Sequence, residues 1–227
     1  MSAECFAAAI AAARDQFTVT IADTPELRHE AFRVRHQVYC IERGYETAVG
    51  DIETDGFDAR SHHVLLSRRD TGEAVGTVRV VLHDPRAPHD SFPLQRVTAP
   101  GLLRHLPLPA TAEISRFSLS KDRRVASGPA GLVMRLGLIQ GVVRVFGQQG
   151  LTHWCAIMER GLVRLLQATA IHVESVGPMV EFHGLRQPVT CAMDDMLARV
   201  RRERPEVWDI LTEGGTLWSE PDHALAA

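Results

Sequence analysis

Apolar and polar positions alternate over 17–21, where Phe17, Val19 and Ile21 are separated by threonines, and this predicts a strand. Thr24-Pro25-Glu26 follows with a capping residue and a proline suited to a first helical turn. Leu27, Ala31, Val34 and Val38 then recur at helical spacing, so Arg35 and Tyr39, four apart, project together near the helix end. Two strand-like runs, 64–66 and 75–82, flank Asp70-Thr71-Gly72-Glu73 and predict an antiparallel hairpin. Six of the twelve prolines fall between 85 and 109, a stretch without a clear element that suits a lid, a binding loop, disorder or a surface crossover.

Beyond it the pattern predicts a strand over 112–119, then a helix opened by Ser127-Gly128-Pro129 with Leu132, Leu136, Ile139, Val143 and Phe146 on its apolar side. Strands over 151–157, 171–176 and 188–192, a short helix over 160–168 and a terminal helix over 194–211 interrupted by Pro205 complete the chain. This order implies an α/β fold of the α+β kind, a mixed sheet with helices on both faces. No GxGxxG follows any strand, which argues against dinucleotide cofactors.

With 227 residues and 45% hydrophobic content, the chain is expected to form one domain over 1–227, with a helix at about 3–14 and a helical extension at about 194–212. A net charge of -3 supplies no general attraction for nucleic acid. Cys5, Cys40, Cys155 and Cys191 are far apart and make no zinc spacing with the eleven histidines, so free thiols and no metal are expected. The Ala-rich start carries Glu4 and no basic segment, and the apolar stretch 130–147 is interrupted by Arg135 and Arg144. No signal peptide, no transmembrane span and a cytoplasmic location are therefore expected.

The chemistry concentrates in an ordered series: Arg35, Tyr39, Gly44-Tyr45, Asp55 and Asp58, Arg79, and the tetrad Glu113-Ile114-Ser115-Arg116. This series resembles the acyl-homoserine-lactone synthases and the related N-acyl amino acid synthases of the GNAT-like acyltransferase superfamily, over roughly residues 27 to 120. Tyr39 and Tyr45 stand where the lactone synthases usually have Phe and Trp, and that Trp helps hold S-adenosylmethionine there, so its replacement counts against that substrate. The segments 180–188 and 202–208 resemble the PEP-CTERM/exosortase-associated acyltransferases, grouped with N-acyl amino acid synthases. The resemblance implies a GNAT-like fold with a mostly antiparallel twisted sheet. It also implies transfer of a fatty acyl group, expected to be long, from acyl carrier protein to the amine of an amino acid. A lactone synthase, a CoA-dependent N-acetyltransferase and a non-catalytic lipid-binding module are the alternatives.

Within that reading, an ammonium must lose a proton before its nitrogen attacks a thioester, and Glu113 is the candidate base. Asp55 orients the ammonium, and Arg79 or Arg116 clamps the substrate carboxylate. Arg35 organises the loop that holds Asp55 and Asp58, while Tyr39 and Tyr45 line the substrate site. Ser115 is a hydrogen-bonding helper rather than a nucleophile. In a flat strand Glu113 and Arg116 point to opposite faces, so both line one site only if the strand bulges or the cleft straddles its edge. No cofactor is expected to be tightly bound. The donor's phosphopantetheine arm, on acyl carrier protein or on CoA, falls to a degenerate phosphate loop: Lys121, Arg123 and Arg124 offer charge, Gly128 and Gly131 close approach at a helix start. Leu132, Met134, Leu136, Trp154, Ile157 and Met158 are candidates for an acyl groove.

Overall fold

The computed structural model describes residues 15–47, 50–121 and 129–218. The expected helix at 3–14, together with Arg123, Arg124 and Gly128, lies outside the described residues.

Strand β1 (Phe17–Ile21) leads into helix α1 (Pro25–Arg35), whose cap is Thr24: its hydroxyl accepts the Leu27 N–H at 3.3 Å. The chain does not stop at Arg35 but widens into a π-helical segment, His36–Glu42. Such widening shifts side chains off α-helical register and is frequent at functional sites. β2 (Ser61–Arg68) and β3 (Ala74–Leu82) form the antiparallel hairpin that Asp70-Thr71-Gly72-Glu73 predicted, with Gly72 at a φ of +73° in the turn. β4 (Thr111–Leu119), α2 (Pro129–Gln149), β5 (His153–Met158) and α3 (Arg160–Ala168) follow the expected order.

Near the end, β6 (Glu174–Ser175) is shorter than the strand expected over 171–176, because only Ser175 and Glu174 pair with the next long strand. β7 (Val180–Glu181) and β8 (Leu185–Ala192) make a small hairpin, so β8 is longer than the segment expected from Pro188 onward. The terminal helix is two helices, α4 (Met193–Glu203) and α5 (Pro205–Thr212), with Pro205 opening the second, where its missing N–H costs nothing.

The main sheet runs β1-β2-β3-β4-β5-β8-β6, with β7 attached to β8. Every pairing is antiparallel except β4 with β5. Along β2, Val64 and Leu66 face α2 in the large core, while Leu65 faces Ala31 and Val34 of α1. The period-two alternation of that strand thus places helices on both faces. The helix over Ala130–Gln149 has the length and mean hydropathy (1.4) of a membrane span, yet 61% of that stretch is buried inside the protein. Its residues Met134, Leu136, Leu138, Val143 and Phe146 are fully buried in the main core, so its apolarity is that of a core helix.

The proline-rich stretch is a packed wall. Phe92, Leu94 and Leu103 join Phe57, Val81 and Cys155 in a second apolar cluster, and short 3-10 turns at Pro93–Arg96 and Leu108–Ala110 order the chain.

Candidate active site

The parallel pairing of β4 with β5 lasts three residue pairs, from Thr111/His153 to Glu113/Cys155. Beyond it the strands run on without pairing to each other, and a cleft of about 320 Å³ opens beside them. Glu113 stands at the last paired position, and Ile114, Ser115, Arg116 and Phe117 all line the opening. A strand that has lost its neighbour presents free backbone donors along that edge.

β4 is also bulged. Arg79 pairs with Ser115 and Thr77 with Ser118, so Arg116 and Phe117 together stand opposite Val78. Arg116 takes up the extra residue at a φ of +53°, in the left-handed region where non-glycine residues are uncommon. Bulge and open edge together bring Glu113 and Arg116 into one cleft, which a flat paired strand would forbid.

Glu113 is buried, and its Oε2 accepts the Leu94 N–H from the proline-rich wall at 2.7 Å. Burial pushes its carboxyl up to about 7, against the opposing pull of that N–H and of Arg79 and Arg116. A buried carboxyl poised near neutrality suits a proton acceptor. Ser115 Oγ accepts from Arg79 Nε at 3.1 Å, which leaves the hydroxyl hydrogen available.

Behind the cleft wall lies a buried ion network. Arg35 donates to Glu53 at 2.5 Å and to Asp58 at 2.6 Å, and Arg79 donates to Asp55 at 2.6 Å and Asp58 at 2.8 Å. Arg116 reaches back to Glu53 at 3.0 Å and Asp55 at 3.3 Å while its guanidinium lies 4.9 Å from the Tyr39 ring centre. Burial would raise the carboxyls of Glu53 and Asp58, but Arg35 holds both down to about 2, helped by Arg116 at Glu53 and by Arg79 at Asp58. Burial alone would lower Arg116, but its bonds to Glu53 outweigh that and raise it.

The cleft therefore receives only part of the sequence series. Glu113, Ser115, Arg116, Tyr39, Tyr45 and Lys121 line it. Arg35, Asp55, Asp58 and Arg79 are not among its lining residues: Arg35 and Arg79 are fully buried with both committed to carboxylates, which leaves Arg116 as the guanidinium of the series at the cleft. Gly131 lies one turn into α2 and accepts Arg135 Nη1 at its carbonyl, 2.7 Å away. The backbone N–H of Lys121 is bonded to the Glu42 carboxylate at 2.9 and 3.0 Å. Of the groove candidates, Ile157 and Met158 line the cleft and Trp154 and Met158 a smaller apolar pocket beside it; Met134 and Leu136 belong to the core, and Leu132 packs against it.

Sequence reasoning missed His183, Arg186 and Glu46. The β7–β8 hairpin carries His183 at its tip at a φ of +53°, next to Gly184, and lays the imidazole flat on Tyr45 with ring centres 4.9 Å apart. His183 Nε2 lies 3.1 Å from Glu46 Oε1, and Glu46 also meets Arg116 at 3.4 Å. Burial lowers the His183 pKa, with Glu46 pulling the other way. Arg186, on the same hairpin, also lines the cleft and pairs with Glu159 at 3.0 Å. The signal was present as the motif 180–188, but nothing in its composition ties it to Tyr45.

The description "Acetyltransferase (GNAT) domain" matches residues 34–134, the stretch from the end of α1 to the first turns of α2. No curated protein matches the chain. Among solved structures, FeeM, an N-acyl amino acid synthase from uncultured soil microbes, superposes with a TM-score of 0.61 at 12% identity, covering 81% of this chain and 94% of its own. The acyl-homoserine lactone synthase LasI gives 0.60 at 20% identity, covering 78% of this chain and 89% of its own. The CoA-dependent lactone synthase BjaI, solved with S-adenosylmethionine and isopentyl-CoA, gives 0.59 at 20%, covering 90% and 91%. The fold is a GNAT-like acyltransferase fold, and together with the domain match it supports an acyltransferase enzyme.

Proposed function

We propose that the protein transfers a fatty acyl group from a pantetheine thioester on acyl carrier protein to the amine of an amino acid. The observation that carries this reading is the placement of Glu113, with its carboxyl near 7, at the apex of the cleft where β4 leaves β5. The thioester arm enters along the open edge of β4, its acyl end directed at the apolar pocket. The amino acid enters from the side of Tyr39, Tyr45 and His183, its carboxylate on Arg116. Glu113 takes a proton from the ammonium, directly or through one water, and the freed nitrogen attacks the carbonyl carbon. The oxyanion accepts from the Ser115 hydroxyl and from backbone N–H groups on the unpaired edge. As the C–S bond breaks, the thiolate leaves and takes up the second proton that the attacking nitrogen gives up, and the neutral amide is released.

Arg43, Lys121, Arg135 and Arg186 around the cleft favour an acidic carrier. The motif 180–188, resembling the exosortase-associated branch, supplies His183 and Arg186 and favours an amino acid acceptor. A second reading, S-adenosylmethionine as acceptor, is favoured by the likeness to BjaI.

The test incubates purified protein with long-chain acyl carrier protein and a pool of amino acids, read by mass spectrometry beside Glu113→Gln. N-acyl amino acids that fall by about 10²-fold or more in the variant are expected. Lactone formed only with S-adenosylmethionine would replace the acceptor, and turnover of acetyl-CoA alone would replace the donor. Unchanged turnover in Glu113→Gln would remove the base.

A further inference from the structure

The imidazole of His183 lines the cleft and is held there by three neighbours. Tyr45 and Phe182 stack on the ring with centres 4.9 and 4.4 Å away, and Nε2 lies 3.1 Å from Glu46 Oε1. The backbone beneath it is strained, at a φ of +53° in a residue with a Cβ, and Arg186 fixes it by donating from Nε and Nη2 to the His183 carbonyl at 3.4 and 3.3 Å. Nδ1 is what remains. It meets no partner among the described residues, and it is not enclosed, as both nitrogens of the buried His63 are.

Burial, with Arg116 and Arg186, lowers the His183 pKa against the pull of Glu46, so the ring is neutral at pH 7. A neutral imidazole has one N–H and a carboxylate only accepts, so the hydrogen lies on Nε2 and Nδ1 keeps its lone pair. The open nitrogen therefore takes a donor. Glu46 also meets Arg116 Nη2 at 3.4 Å, which sets this acceptor beside the guanidinium of the cleft. Glu53, Glu46 and Asp55 occupy Nε and Nη2 of Arg116, and Nη1 bonds none of them. An amino acid zwitterion matches the pair, with its carboxylate on Arg116 Nη1 and its nitrogen against His183 Nδ1.

An α-ammonium has three N–H groups. In acyl transfer one proton goes to Glu113 and a second to the leaving thiolate, so one hydrogen stays in the amide. We propose that His183 selects a primary amine, its Nδ1 accepting a hydrogen bond from the one N–H that the product keeps. The inference rests on the acyl-transfer reading and names the acceptor class within it. An N-methyl amino acid also has two protons to give, yet it presents nothing to Nδ1 once both are committed, and the unmade bond discriminates against it.

The experiment compares amino acids with their N-methyl derivatives as acceptors for full-length protein supplied with dodecanoyl acyl carrier protein. The primary amine is expected to exceed the N-methyl derivative in kcat/KM by about tenfold or more, the worth of one hydrogen bond to a charged group. His183→Phe keeps an aromatic ring on Tyr45 and should lower that ratio about tenfold while the KM for the carrier protein holds. Glu46→Gln, whose amide can donate to Nε2 and move the hydrogen to Nδ1, should lower the ratio as well, and it carries the test if His183→Phe does not fold. A ratio unchanged in the variants, or equal use of both acceptors by the wild type, would overturn the proposal. Should no amino acid be acylated, the acyl-transfer reading fails, and imidazole resonances of ¹⁵N-histidine-labelled protein test the site alone. The His183 signals, assigned by their loss in His183→Phe or His183→Asn, should show the hydrogen on Nε2. Nδ1 should move with at least one of the standard amino acids and not with the carboxylic acid that lacks its amine. A hydrogen found on Nδ1, or an Nδ1 signal that no amino acid moves, would overturn the site.

Discussion

At the scale of single residues, Glu113 combines two demands that oppose each other. A base must carry charge, and the apex of the cleft is buried enough to push its carboxyl up to about 7. Because its folded pKa lies above the ordinary carboxylate range, the associated stability is complete below the unfolded value and is lost as pH rises through about 7. Glu113→Gln keeps an acceptor for the Leu94 N–H and removes the titration. Urea unfolding should therefore show wild type losing about 2 kcal/mol between pH 5 and pH 8 relative to the variant. Parallel curves for the two proteins would mean that Glu113 is not buried as described. Glu113 was visible in the sequence because the tetrad at 113–116 is local. His183 was not, since its stacking on Tyr45 joins residues far apart in the chain.

At the scale of elements, the amphipathic pattern located most strands and helices, and the departures have local causes. The π-helical turn at His36–Glu42 continues a helix whose apolar spacing reads as ordinary α-helix. The close seating of α2 on the sheet rests on Gly137 and Gly141: a Cβ at Gly141 would collide with both γ-methyls of Val64 and come within 3.1 Å of Val19. Gly141→Ala improves helix propensity yet should cost about 1–3 kcal/mol through overpacking, read as a lower urea midpoint with an unchanged slope. A stabilised variant would show that α2 moves freely on β2. The bulge in β4 belongs to the same scale. It was one of the arrangements, with a cleft straddling the strand's edge, that would let Glu113 and Arg116 share a site, but its position at Arg116, opposite Val78, came from strand pairing.

At the scale of the whole molecule, the ion network ties α1, the acidic loop, β3 and β4 into one support for Arg116. Glu53 and Asp58 are held near 2, so their contribution is full above about pH 4 and is lost as pH falls through 2. Arg35→Met removes the shared cation and leaves both carboxylates buried, which should cost about 3–5 kcal/mol at pH 7. The variant should lose less stability than wild type on acidification, because protonation relieves its stranded charges. Equal losses in both proteins would show that Arg35 does not hold these carboxylates. By itself the sequence determined the strand and helix order, the mixed sheet and the set of ionisable residues, because periodicity and turn chemistry act over a few neighbouring residues. Only the tertiary structure decided which of those residues face the cleft: carboxylates remote in the chain bond Arg35, Arg79 and Arg116 alike, but of the three only Arg116, carried by the bulge in β4, also lines the opening.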